Sequence, residues 1–125
     1  MSRVVLTDEE KKLYFKKFLE ALEYAYKTNR LADFILDFYS DAEVASAIKR
    51  LEVFKRLHSG HSYARLNKEL SVSPITASKV SSALKNASES FKQLLEELSQ
   101  DVAPSKTTQE ARPSTVSDKR STYLG

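Results

Sequence analysis

The sequence contains no cysteine and no tryptophan, and its 125 residues include only two glycines and three prolines. The lack of cysteine excludes a disulfide framework and a thiolate metal site. Because Gly60 and Gly125 are the only glycines, a glycine-rich phosphate-binding loop is also excluded. No apolar run is long enough to span a bilayer, and the start MSRVVLTDEEKK lacks the apolar segment of a secretory signal. We therefore expect a cytoplasmic protein without a membrane partner.

Catalytic and metal-binding constellations are equally scarce. The two histidines, His58 and His61, straddle a predicted helix end without a cysteine nearby, which makes a poor metal site. No pair of nucleophile and base stands out, and the carboxylates are spaced mostly along solvated helix faces. We therefore predict that the protein is not an enzyme and that it needs no metal or other cofactor.

Helical periodicity dominates the rest of the sequence. The first helix follows a capping box at 7–10, a second capping box lies at 40–43, and Gly60 supplies a C-terminal glycine to the third helix. The predicted helices span about 8–27, 31–39, 41–58, 63–70, 74–85 and 88–98. No strand-like alternation is visible, so the predicted fold class is all-α.

The stretch 63–85 predicts two short helices joined by a tight turn. Ser62 can cap the first helix, and Ser73 followed by Pro74 is a favourable start for the second. Val72 supplies an apolar residue that can pack in the angle between the helices. This is the pattern of a helix-turn-helix, whose second helix can enter the major groove of double-stranded DNA.

Two positions depart from the usual pattern of this motif. Asn67 stands where a small residue normally packs between the helices, and Ser71 stands where the turn often has glycine. We expect these departures to alter the geometry of the turn while the motif itself persists.

Positive charge is concentrated around the motif. The segment 49–92 holds nine basic and three acidic residues, although the net charge of the whole chain is only +3. From 71 to 85 there is no acidic residue at all. Such a surface attracts phosphate, whereas the alternative interpretation is an ordinary solvated helical face.

The exposed residues of the motif are predicted to have two roles. Ile75, Thr76 and Ser78, at the start of the second helix, are expected to meet base edges, while Pro74 fixes the helix start. Cationic and polar residues around them are expected to meet phosphates. The candidate DNA-binding residues are Arg65, Asn67, Lys68, Pro74, Ile75, Thr76, Ser78, Lys79 and Lys85.

The predicted organisation is one folded domain with two flexible ends. Residues 1–6 form a flexible N-terminus, and 7–100 form the all-helical domain with its helix-turn-helix at about 62–86. Residues 101–125, rich in serine and threonine, are predicted to be a disordered tail.

The first three helices carry more aromatic surface than a small bundle can bury. Such a surplus indicates an interface, and a homodimer is the economical interpretation, since two-fold symmetry presents two recognition helices to successive major grooves. A monomer with an apolar surface is the alternative. The aromatic residues are Tyr14, Phe15, Phe18, Tyr24, Tyr26, Phe34, Phe38 and Tyr39.

From about Phe18 to Leu98 the sequence resembles the tryptophan repressor superfamily. The resemblance lies in FLEALEYAY, SDAEVASAIKRLEVFKRLHSG and LNKELSVSPITASKVSSALK, and in six helices of the family's order and length. It looks closer to the less characterised relatives than to the tryptophan-binding member. The resemblance implies an intertwined, six-helix homodimer that represses transcription at a palindromic operator. The alternative is a helical interaction module, or adaptor, without sequence-specific DNA binding.

The resemblance also implies an effector pocket. Lys79 and Val80 stand where the tryptophan-binding member has arginine and glycine. Lysine lacks the flat guanidinium that stacks on an indole, and valine fills the room that the ring needs. We therefore do not expect tryptophan to be the corepressor, and another small-molecule effector is left open. The positions that correspond to the family's pocket are Ser40, Arg50, Thr76, Lys79, Val80 and Ala83.

Overall fold

A computed structural model describes residues 5–101 and 119–124 of the chain. These residues form α-helices and no strand, so the predicted all-α fold is confirmed. The helices are α1 (Asp8–Lys27), α2 (Leu31–Phe38), α3 (Asp41–His58), α4 (Tyr63–Leu70), α5 (Pro74–Lys85), α6 (Glu89–Asp101) and α7 (Lys119–Leu124). The first five agree closely with the predicted bounds, whereas α6 continues beyond its predicted end.

The predicted caps fix the starts of four helices. Thr7 and Glu10 form a complete capping box at α1, with hydrogen bonds of 3.0 and 3.1 Å. The hydroxyl groups of Ser62, Ser73 and Ser88 each accept the backbone N–H three residues further on, at 3.1–3.2 Å. These bonds satisfy amide groups that have no partner inside the helix.

The chain divides into two compact units. The first comprises 1–41 and 114–125, so its described part contains α1, α2 and α7. The second comprises 42–113 and contains nearly all of α3 together with α4, α5 and α6. The single domain predicted at 7–100 therefore includes parts of both units.

Aromatic rings pack together in the first unit. The ring of Phe34 stacks on that of Phe38 at 5.3 Å, and Phe18 lies 5.6–6.4 Å from both. Of the described apolar residues in this unit, however, only Ala25 and Leu36 are buried. Several large apolar side chains on α1 and α2 remain well exposed, namely Leu13, Tyr14, Phe15, Leu19, Tyr24, Tyr26 and Phe38.

The structure corrects the prediction for the C-terminal end of the chain. The predicted disordered tail, 101–125, includes residues 119–124, which form α7 and pack on α2. The Tyr123 hydroxyl donates a hydrogen bond to Asp41 Oδ1 at 3.1 Å. Composition misses this helix because the residues that anchor it are distant in sequence. The remaining tail, 102–118 and 125, and residues 1–4 of the predicted flexible N-terminus lie outside the described residues.

The turn between α4 and α5 packs into the core of the second unit. This core is a cluster of five buried residues, against which Phe54, Leu57 and Leu70 pack. The rings of Phe54 and of Phe91 on α6 also pack edge to face, with their centroids 5.1 Å apart. The buried cluster consists of Val53, Leu66, Val72, Ala77 and Val80.

Among the helices of the described ranges, none combines the length and apolar character needed to cross a membrane.

Candidate functional site

Three residues, 71–73, join α4 to α5 in the second unit. Ser71 adopts the left-handed conformation, with φ 56° and ψ 44°, which is unfavourable for a residue with a Cβ. Two side chains hold the carbonyls of this turn. Asn67 Nδ2 donates to Val72 O at 3.1 Å, and Lys49 Nζ donates to Ser71 O at 3.4 Å. These bonds support the turn without the usual glycine.

The Asn67 side chain therefore has a role that the sequence did not indicate. We assigned its amide to the DNA backbone, but one N–H of that amide is used inside the motif. This bond also explains why asparagine can replace the small residue usual at this position, because its amide satisfies a carbonyl of the turn. The contact between Asn67 and DNA stays a prediction.

The second helix of the motif, α5, has one face in the core and one face exposed. Ala77 and Val80 are buried, whereas Ile75 is 70% exposed. The hydroxyl of Ser73 donates to Thr76 Oγ1 at 3.1 Å. Five of the predicted DNA-binding residues on this helix are thus accessible near its start: Pro74, Ile75, Thr76, Ser78 and Lys79.

The cations around this face differ in their pairing. Lys68, Lys79 and Lys85 are exposed, and none of them forms an ion pair with a residue that the structure describes. Arg65 is different, because its Nε lies 3.2 Å from Glu69 Oε2 on the same helix. The three lysines therefore have charges free for an external anion, while Arg65 is already partly neutralised.

The Arg65 hydrogen bond lowers the pKa of Glu69, and the positive charges of Arg65 and Arg56 lower it further. The Glu69 carboxylate therefore stays ionised at neutral pH. Because its pKa is depressed in the folded protein, any stability from this pairing is present above the ordinary pKa of glutamate. It is lost as the pH falls through the lowered value.

A cleft of about 310 Å³ lies beside the turn. Three of the predicted effector residues, Arg50, Thr76 and Val80, line it. Lys79 and Ala83 are exposed on α5 and are not among its lining residues, and Ser40 belongs to the first unit. The other lining residues are Ser46, Lys49, Val53, Ser71, Val72 and Ser73.

Sequence reasoning missed most of these lining residues, but a signal for two of them exists. Ser46 and Val53 lie four residues before and three residues after Arg50 on α3, so helical spacing puts them on the same face. The turn residues Ser71 and Ser73 carry no such signal, since their position depends on how α4 and α5 pack on α3. Together the lining groups form an apolar wall of valines beside hydroxyl groups and two cations.

Two short helices, a three-residue turn with a buried valine, and an exposed cationic second helix define a helix-turn-helix. Residues 14–99 match the family described as Trp repressor protein, and the chain belongs to this family. The sequence-based resemblance is thereby confirmed. The family is one of DNA-binding regulators rather than of enzymes, so membership indicates a helix-turn-helix DNA-binding regulator. No curated protein and no solved structure matches the chain.

Proposed function

We propose that this protein is a sequence-specific transcriptional repressor that binds a palindromic operator as a homodimer. The observation that carries the proposal is the exposed start of α5. There an exposed isoleucine, Ile75, adjoins hydroxyl groups and Lys79, whose charge has no ion-pair partner among the described residues. No carboxylate lies in 71–85. This combination suits the major groove, which offers thymine methyl groups, base-edge hydrogen-bonding groups and flanking phosphates.

The two classes of contact have different consequences. Ile75 is suited to a thymine methyl group, and Thr76 and Ser78 are suited to base edges, directly or through water. Lys68, Lys79 and Lys85 surround them and are suited to phosphates, which position the protein without reading sequence. The exposure of all these side chains supports this division.

The homodimer is supported by apolar surface in both units. In the first unit Phe15, Tyr24 and Tyr26 are at least 60% exposed. In the second unit Ile48 and Leu94 are also exposed, on α3 and α6. Apolar surface of this extent usually marks an interface, and a two-fold dimer covers it with the same residues of a second copy.

We expect the protein to have twice its 14.2 kDa chain mass at micromolar concentration. We also expect it to select a palindromic sequence from a pool of duplexes of random sequence. The reason is that two copies present two equivalent recognition helices. Light scattering with and without the enriched duplex measures the mass, and a scrambled duplex of equal length is the control. A 14.2 kDa species, or no retention of any duplex at low salt, would favour the adaptor alternative.

We also propose that tryptophan does not occupy the cleft. Val80 lines the cleft and is almost fully buried, so it takes space that an indole would need. Millimolar tryptophan is therefore expected to change neither the melting temperature nor the DNA affinity. Calorimetry provides the direct measurement. Saturable micromolar binding that Arg50→Ala abolishes would refute this, whereas binding that survives Arg50→Ala would lie outside the cleft.

A further inference from the structure

Glu69, in the last turn of α4, holds two arginines from different helices. Its Oε1 accepts a hydrogen bond from Arg56 Nη1 of α3 at 2.8 Å, and its Oε2 lies 3.2 Å from Arg65 Nε. Each carboxylate oxygen is therefore engaged by a different guanidinium. Charge-assisted bonds of this kind are among the stronger hydrogen bonds in proteins.

The triad of Arg56, Glu69 and Arg65 is partly shielded from solvent. The side chains of Glu69 and Arg56 are 39% and 29% exposed, and that of Arg65 is 54% exposed. Arg56 is held by a second carboxylate as well, since its Nε lies 3.4 Å from Glu52 Oε1. Arg65, the more exposed cation, is thus the one that gains most freedom if Glu69 loses its charge.

Glu69 is also isolated in sequence, because no other acidic residue lies between Glu52 and Glu89. Arg65 and Arg56 each have an acidic partner, whereas the charge of Lys68 has none among the described residues. A cation already paired inside the protein contributes little to counterion release, because release requires that it neutralise a phosphate. Glu69 is therefore placed to limit how many cations near the motif act on DNA.

We propose that Glu69 is a positioning residue that withholds Arg65 and Arg56 from phosphate, and so sets the electrostatic part of the affinity for DNA. The proposal rests on the proposed DNA-binding function and deepens it. Non-specific binding comes almost entirely from phosphate contacts. Holding two cations in an internal triad therefore lowers the attraction to random DNA, while the base contacts from α5 are unchanged.

The test is the dependence of DNA affinity on salt, compared between the wild-type protein and Glu69→Gln. Glutamine keeps the size and removes the charge, so Arg65 is released and Arg56 keeps only its contact with Glu52. We expect affinity for a random duplex to rise at low salt. The slope of log affinity against log salt should steepen by about one to two units, since each phosphate neutralised contributes about 0.9. A purely structural role for Glu69 would not steepen this slope.

Glu89→Gln is the matched control. It makes the same change of charge in the same basic segment, but Glu89 is 93% exposed and pairs only loosely with Lys92, at 3.7 Å. Its salt slope is expected to stay near the wild-type value. An equal steepening in both variants would show that net charge alone is responsible, and would overturn the proposal.

Arg65→Gln gives a second, independent readout if Glu69→Gln folds poorly. In the wild-type background this change should leave the slope nearly unchanged, because Arg65 is withheld. A loss of about one unit would show that Arg65 already contacts phosphate, and would overturn the proposal. An unchanged slope in a folded Glu69→Gln variant would also overturn the proposal. If the wild-type protein binds no duplex at any salt concentration, the proposed function fails as well.

Discussion

Replacing Leu66 by alanine is expected to lower the free energy of unfolding by about 2–5 kcal/mol. Leu66 is fully buried at the centre of the cluster that packs α4, α5 and the turn against α3. Its truncation removes apolar burial and leaves a cavity. Its neighbours, Val53 on α3 and Val72 in the turn, are themselves buried and fixed in position, so they can fill the cavity only partly. Urea denaturation followed by circular dichroism measures the change.

Ile75→Ala is the control for this prediction. It also truncates a large aliphatic residue of the motif, but Ile75 is 70% exposed. A surface substitution of this kind usually changes stability by no more than about 0.5 kcal/mol. If the two variants unfolded at the same urea concentration, Leu66 would not be part of a close-packed core.

Ile75→Ala and Ser78→Ala are expected to reduce discrimination between operator and random DNA by about 1–3 kcal/mol each, or about 5- to 150-fold. Both residues are exposed at the start of α5, where the side chains of a recognition helix lie closest to base edges. Lys79→Ala should instead weaken binding to every sequence and flatten the salt slope by about one unit. Equilibrium titrations of both duplexes at several salt concentrations separate these effects.

Lys27→Ala serves as the charge-matched control for Lys79→Ala. Lys27 pairs with Glu23 on α1, outside the motif, so its loss should leave the salt slope unchanged. If the Ile75, Ser78 and Lys79 variants all kept wild-type affinity and salt dependence, the assignment of this face to DNA would be wrong.

The features predictable from the sequence are those decided within a few residues. At 73–74 a serine precedes a proline, and at 7–10 a threonine lies three residues before a glutamate. The serine and threonine side chains accept backbone N–H groups in the first turn of their own helices. Gly60 likewise ends α3 with φ 95°, a conformation that glycine adopts without strain. Such signals gave the helices and, with the collinear match to the Trp repressor family, the fold.

The features that sequence reasoning missed depend on residues far apart in the chain. The bond from Lys49 to Ser71 O joins positions 22 residues apart, and the pairing of Arg56 with Glu69 joins α3 to α4. Periodicity describes each helix separately and cannot tell which residue of one helix faces a given residue of another. For this reason the sequence predicts that Arg65 contacts phosphate, although its charge is paired inside the protein.

The bond between Tyr123 and Asp41 has a consequence for the order in which the chain folds. It joins positions 82 residues apart, whereas the α4–α5 pair can form from a continuous short segment. During synthesis the N-terminal part of the chain emerges first, yet the first unit also includes α7, which emerges after α1–α6. We therefore expect this unit to begin folding early and to be completed only after α7 has left the ribosome.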